Sequence, residues 1–301
     1  MYRKLLGAER PEVANCLTGL GRLMGETGKF HEAELFYRQA LRMRRKMYGA
    51  DHPSVAHSMN NLGMMLQEQG DLKGAEAMYR EGLAMRRRLL GDKHPEVAMS
   101  LANLGCVLQD LGRYDEAEQL YRQVLEMRRS LFGEEHPRLA TTMNYLATLL
   151  RDKGRYEESE ALFRQSLAMR RRLLGDESRE VGISLQDLGA LLYLKGEYDE
   201  SEKTQRQAIA TFQKTLKPDH WMIHRSRSSL GACLIKLKRY HEAEEQLLIG
   251  YAGLKAALGD RSLQTQKAVG RLIELYESWG KPEKADSYRA LPHTNPNKPK
   301  K

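Results

Sequence analysis

A 42-residue period runs through this chain without a slip. The strongest copy reads His94-Pro95-Glu96-Val97-Ala98, Leu101-Ala102-Asn103-Leu104-Gly105, Gly112-Arg113-Tyr114, Glu116-Ala117-Glu118 and Tyr121-Arg122. It closes on Met127-Arg128-Arg129-Ser130-Leu131-Phe132-Gly133, and matching copies begin at Arg10, His52, His136, Ser178, His220 and Ser262. A unit of this size cannot bury its own apolar face and must stack on its neighbours. The fixed period therefore predicts a solenoid and, with it, a binding scaffold.

Because such a chain grows by adding repeats, its 301 residues do not count domains. A composition of 41% hydrophobic and 30% charged residues suits amphipathic helices. The net charge of +9 favours acidic partners or anionic surfaces. No apolar run has the length of a membrane span or of a signal peptide, so no membrane partner is expected. Cys16, Cys106 and Cys233 fall in separate repeats with no shared spacing. They read as reduced, small apolar side chains, and the expected location is cytoplasmic.

Each repeat reads as two helices. In the third, helix A is predicted over Pro95 to Leu111 and helix B over Asp115 to Phe132. Proline suits the first helical position because no hydrogen bond is lost there. Val97, Leu101, Leu104 and Leu108 recur at spacings of three and four and form one apolar face. Gly112, with Gly28, Gly70, Gly154, Gly196 and Gly280, sits where a helix end asks for a left-handed residue; Lys238 breaks the series. In helix B, Ala117, Tyr121, Val124 and Leu131 are predicted to face inward. The small residue at the first of these positions is Ala33, Ala75, Ala117, Ser159, Ser201, Ala243 or Ala285. It lets the paired helices approach closely. Gly49, Gly91, Gly133, Gly175 and Gly259 end helix B.

Leu-Gly in helix A, the Gly-x-Tyr turn, Ala in helix B and an aromatic four residues later resemble the tetratricopeptide repeat. The 42-residue form, with the loop Leu-Gly-x-x-His-Pro-x-Val-Ala, is similar to the repeats of kinesin light chains and nephrocystin. The resemblance implies an all-α right-handed α-solenoid of stacked helix-turn-helix units over residues 10–290. It also implies ligand binding in a concave groove lined by helix A. Residues 1–9 match the end of a helix B, with Leu5-Leu6-Gly7 aligning to Leu89-Leu90-Gly91. The register thus opens mid-repeat: a longer parent chain is the favoured expectation, and a half-helix that caps the array is the alternative. Residues 291–301 are rich in Pro and Lys and are expected to be a disordered basic tail.

Catalytic patterns are incomplete. His31-Glu32-Ala33-Glu34-Leu35 and His241-Glu242-Ala243-Glu244-Glu245 begin like a zinc motif but lack the second histidine at i+4. Gly25-Glu26-Thr27-Gly28-Lys29-Phe30 resembles a phosphate loop but lacks its first glycine and its Ser/Thr. His52, His94 and His136 lie a repeat apart and do not converge on a metal. No enzyme, metal site or cofactor is expected.

Arginine forms two rows. Arg38, Arg80, Arg122, Arg164 and Arg206 each follow a glutamate by four residues, the favourable order for a helical ion pair. Arg44, Arg86, Arg128 and Arg170, with Arg45, Arg87, Arg129 and Arg171 beside them, have no such glutamate. They are expected to pair with acidic side chains of the neighbouring repeat. The alternative is an outer basic stripe for an anion. Nucleic acid is disfavoured because no stacking aromatics interleave with the arginines.

The groove residues are those of helix A off the apolar stripe. They are His57, Asn60, Asn61, Met64 and Gln67 in the second repeat and Met99, Asn103, Cys106 and Gln109 in the third. They are Thr141, Asn144, Tyr145, Thr148 and Arg151 in the fourth, and Gln186, Asp187 and Tyr193 in the fifth. An asparagine offers both donor and acceptor, so it can bind peptide backbone whatever its sequence. In kinesin-light-chain repeats an asparagine at this position clamps cargo peptide. Asn61, Asn103 and Asn144 lie at or next to it, and Tyr145 departs from it. Further along, Arg225, Lys236, Lys267 and Arg271 make the face basic, which suggests a protein or peptide partner with an acidic segment. The leading reading is a non-catalytic scaffold, monomeric or weakly self-associating. Its rivals are the sensory or assembly region of a longer signalling protein, such as one carrying a serine/threonine kinase, and an anion- or nucleic-acid-binding surface.

Overall fold

The computed structural model describes residues 10–26 and 29–291. The half-repeat expected over residues 1–9, the turn at 27–28 and the tail from 292 onward lie outside the described residues. Fourteen helices and no strand are present among the described residues. The A helices are α1 (Pro11–Glu26), α3 (Pro53–Gln69), α5 (Pro95–Asp110), α7 (Pro137–Asp152), α9 (Arg179–Lys195), α11 (Trp221–Lys236) and α13 (Leu263–Ser278). The B helices are α2 (Phe30–Tyr48), α4 (Leu72–Leu90), α6 (Tyr114–Phe132), α8 (Tyr156–Leu174), α10 (Tyr198–Thr215), α12 (Tyr240–Leu258) and α14 (Pro282–Arg289). The chain divides into two compact halves, residues 1–149 and 150–301.

Local chemistry sets the helix ends. The residue before helix A is a cap. The Nδ1 atoms of His52, His94, His136 and His220 accept the backbone N–H two residues on, at 3.1–3.3 Å. In two other repeats Ser178 and Ser262 do the same for the N–H three residues on. The recurring histidine therefore satisfies an orphan donor of its own helix. At the turn between A and B the chain must enter the left-handed region. Lys238 adopts φ 60° there, where the other described repeats have glycine at φ 71–85°. The turn geometry imposes that conformation, and lysine bears the strain that glycine avoids.

Packing follows the predicted stripes. Val97, Leu101, Leu104, Leu108, Ala117, Tyr121 and Val124 are buried, and Ala or Ser at the close-approach position is fully buried in each repeat. Leu131, expected inside, is only half-buried. The helix-A glycine has a steric cause: a Cβ on Gly105 would lie 2.7 Å from the Tyr121 ring, and one on Gly63 2.8 Å from Tyr79. The cysteines are free. Cys233 is buried, Cys106 half-buried and Cys16 exposed.

The second arginine row departs from expectation. Arg44, Arg86, Arg128 and Arg170 are buried, with Arg86 only 1% exposed. Each guanidinium crosses the seam between helix B and the next helix A. It donates to a hydroxyl fourteen residues on: Arg44 to Ser58 Oγ at 2.6 Å, Arg170 to Ser184 Oγ at 2.7 Å, Arg86 to Ser100 and Arg128 to Thr142. Arg128 and Arg170 also donate to the carbonyls of Arg138 and Glu180. Arg86 also has an acidic neighbour in the next helix, with Glu96 3.3 Å from its Nε but not aligned as a hydrogen bond. Each of the four guanidinia thus bonds a neutral hydroxyl across the seam, a partner the charge pattern alone does not predict. In the fifth repeat Phe212 occupies the arginine position, and Gln186 donates to the matching hydroxyl of Ser226.

Candidate functional site

The two halves present different helix-A faces. In the N-terminal half, α3 and α5 place amides side by side. Asn103 Nδ2 donates to Asn60 Oδ1 at 2.6 Å, and the Asn60 amide lies 3.6 Å from the Met64 sulfur. Asn60 is buried by this contact, so it holds two A helices together. Asn61, one residue on, is half-buried. With Met64, Met65, Phe30, Tyr37 and Glu68 it lines a cleft of about 390 Å³. Met64 is 53% exposed, a large apolar side chain left open to solvent. Gln109 accepts the hydroxyl of Tyr121 at 3.4 Å, and Tyr145 is exposed with its ring 5.9 Å from that of Tyr121. The Tyr121 hydroxyl also meets Cys106 Sγ at 3.2 Å. Burial pushes both of their pKa values up, so neither offers an anion near neutrality.

Three predicted site residues are corrected by burial. Asn60, Asn144 and Gln186 share one position of the repeat and are all buried. Gln186 is bonded to the Met222 carbonyl at 3.2 Å and to Ser226. A helix turns about 100° per residue, so this position faces the next helix A while the following one faces out. Asn61, Asn103, Tyr145, Asp187 and Arg271 occupy that outer position, and none of them is buried. Asn144 therefore does not present its amide alongside Asn61 and Asn103.

In the C-terminal half the face is cationic. Asp187 on α9 pairs with Arg225 on α11 at 3.3 Å. Lys236 pairs with Glu274 at 2.7 Å, so that lysine is already neutralised. Arg151 pairs with Asp152 at 2.8 Å. Arg271 on α13 donates to the hydroxyl of Ser228 at 2.9 Å. Lys267 lies one turn before it on the same helix. Partial desolvation, then repulsion from Arg271, Arg225 and Arg151, holds the Lys267 ammonium below the ordinary lysine value. Burial likewise lowers Arg271 and Arg225, with Asp187 opposing the shift at Arg225.

Helix B carries its charges differently. Glu34, Glu76, Glu118, Glu160 and Glu202 each bind the arginine four residues on, at 2.6–2.9 Å. Arg113 and Arg239 reach back a repeat to Glu76 and Glu202, and Lys195 to Glu160. Burial raises the pKa of Glu76, but hydrogen bonds from Arg80 and Arg113 outweigh it, and the carboxyl titrates below the usual range. Arg45, Arg87 and Arg171 stand on the surface and Arg129 is half-buried; they pair with Glu81, Asp92, Asp176, and Glu126 and Glu134, respectively. Among the described residues no helix is long and apolar enough to cross a membrane.

Tetratricopeptide-repeat models match residues 13–54, 43–88, 61–130, 107–172 and 138–214. These segments cover more than half of the chain, and the protein belongs to the tetratricopeptide-repeat family. A kinesin-light-chain-type protein of Podosopora anserina with nearly identical repeats is 24% identical, over 69% of this chain and 98% of its own, with a TM-score of 0.57. BtubC (BKLC) from P. vanneervenii is 20% identical over 90% and 96%, with a TM-score of 0.57. The Rap conjugation gene regulator of plasmid pLS20, solved with the Phr* peptide, is 16% identical over 91% and 72%, with a TM-score of 0.65. At these identities the likeness concerns the fold, an all-α helical-repeat solenoid of kinesin-light-chain type. No curated protein sequence is significantly similar to the chain.

Proposed function

We propose that the protein is a non-catalytic interaction scaffold whose helix-A faces bind an extended peptide or a segment of a partner protein. The observation that carries this reading is the contrast between the two kinds of helix. The outer charges of helix B are spent on one another, in the Glu–Arg pairs and in the pairs of Arg45, Arg87, Arg129 and Arg171. Helix A instead leaves Met64 and Tyr145 exposed and Asn61 half-exposed in one half, and Lys267 exposed without a carboxylate partner among the described residues in the other. Amides suit peptide backbone, an exposed methionine suits an apolar side chain, and cations suit an acidic segment. A structural neighbour, the Rap regulator, is held with a peptide, which supports the mode without assigning a ligand. The same faces would serve if the chain is the sensory region of a longer signalling protein.

An outer arginine stripe for nucleic acid finds less support, because half of that stripe is buried and the other half is ion-paired. The test is selection of a displayed random-peptide library on the full chain. Peptides recovered should lose about tenfold in affinity with Asn61→Ala plus Asn103→Ala, and little with Arg45→Ala plus Arg87→Ala. The opposite pattern would transfer the binding surface to helix B and sink the reading.

A further inference from the structure

Along the outer face of helix B, arginine is placed beside glutamate five times at one-turn spacing. Helix α13 does the reverse: Lys267 and Arg271 are four residues apart, a like-charge arrangement that destabilises a helix. Neither has a carboxylate partner among the described residues; Arg271 is bonded only to a neutral hydroxyl, and Lys267 has no hydrogen bond or ion pair. Glu274, the acid nearest Arg271 along α13, is bonded to Lys236 at 2.7 Å. Arg225 adds to the excess. It sits at the position equivalent to Lys267 one repeat earlier, so it is the neighbour of Lys267 across adjacent A helices. Its guanidinium, 29% exposed, is only loosely held by Asp187 at 3.3 Å and lies 5.9 Å over the Trp221 ring.

We propose that Lys267, Arg271 and Arg225 form a subsite for a phosphorylated side chain on the helix-A face of the C-terminal half. This rests on the peptide-binding reading above and names the chemistry that one part of that face selects. The charge count favours phosphate over a carboxylate. Arg151, Arg225, Lys267 and Arg271 bring four positive charges and Asp152 and Asp187 two negative, an excess of two. A phosphomonoester carries about −1.5 to −2 at pH 7 and three strong acceptor oxygens, so a single group matches that excess. A lone carboxylate would leave one cation uncompensated. Two guanidinia offer paired, forked donors to those oxygens, and an ammonium offers a point charge between them. Desolvation first, and then repulsion from Arg271, Arg225 and Arg151, lowers the Lys267 ammonium, and a dianion would relieve the repulsion.

The test uses the full chain and three fluorescein-labelled nonapeptide pools, random except for a fixed central phosphoserine, serine or glutamate. Free O-phosphoserine is titrated in parallel by NMR. The phosphoserine pool should bind about tenfold or more tighter than the serine pool, and tighter than the glutamate pool. Lys267→Ala, an exposed change that leaves the fold intact, should remove most of that preference. Lys267→Ala with Arg271→Gln should abolish it. Preference should also fade as the pH drops through about 6, where the phosphate loses its second charge. Equal binding of the phosphoserine and serine pools, or of the phosphoserine and glutamate pools, overturns the proposal, as does a preference that Lys267→Ala leaves untouched. If the serine pool binds with no gain from phosphate, the subsite fails and the peptide-binding reading stands. If O-phosphoserine binds in a Lys267-dependent way while no pool does better than it, the subsite stands without the extended-peptide mode.

Discussion

Two arginine rows run along the helix-B ends, one residue apart, and the protein treats them as different materials. Arg44, Arg86, Arg128 and Arg170 are buried in the seams, held by Ser58, Ser100, Thr142 and Ser184. Arg45, Arg87 and Arg171 lie on the surface and Arg129 is half-buried, all with carboxylates nearby. A one-residue step on a helix is a 100° rotation, enough to carry a side chain from core to solvent. The difference shows that identical residues at neighbouring, equally periodic positions can have opposite energetic meaning. A buried guanidinium without full compensation is strongly coupled to the fold, whereas an exposed ion pair is worth little.

The sharpest test removes one arginine from each row. Arg86→Ala should cost about 3–5 kcal/mol in urea unfolding, through the lost seam contacts and the unsatisfied hydroxyl. If it unfolds at the same urea concentration as the parent protein, the buried row is decorative. Arg86→Met, which keeps volume without charge, should recover much of the loss. Next in size is the acceptor. Ser100→Ala leaves a buried charge short of a partner and should cost about 1–3 kcal/mol, while Ser130→Ala, on the exposed side of helix B, should be nearly silent.

The surface carboxylates set an acid limb. Glu76 and Glu160 have pKa values held below the ordinary 4.5, opposed by burial but dominated by their cationic hydrogen-bond partners. A depressed carboxylate contributes stability that is complete above its unfolded pKa and is lost as the pH falls through the folded one. Thermal stability should therefore hold down to about pH 5 and fall below about 4.5, and Glu76→Gln should make that fall shallower. The smallest expected effect closes the comparison: Arg87→Ala should change stability by no more than about 0.5 kcal/mol, and less still in high salt. A cost near that of Arg86→Ala would erase the distinction between the rows.

Most of the fold was legible because its signals are local. The third helix A was expected over Pro95–Leu111 and is Pro95–Asp110; its helix B was expected from Asp115 and begins at Tyr114. Proline at the start and glycine in the turn act on their own backbone, so position suffices to read them. The fate of the arginines was not legible, because burial depends on the angle at which the next helix arrives. A clue did exist: Arg86 continues the spacing of Ala75, Tyr79 and Leu83, and a hydroxyl recurs fourteen residues after each arginine of its row. The site divides in the same way. Asn60 and Asn61 differ by one residue, and only packing separates the clamp between helices from the open amide. The varied occupants of the outer position, Asn61, Asn103, Tyr145, Asp187 and Arg271, mark a surface free to change.

The fourteen-residue register of the seam bears on how such a chain is assembled and lengthened. Donor and acceptor of each buried link are encoded within one short stretch, so the link forms with little loop-closure entropy and without a long conformational search. Any segment that ends in the arginine-bearing turn can be followed by any segment whose first helix carries the hydroxyl. A duplication or excision of one whole period rejoins compatible ends wherever the cut falls between those two residues, as between Arg86 and Ser100 or between Arg128 and Thr142. The buried arginine is thus a connector of fixed gauge, and recombination can change the number of repeats without redesigning a joint.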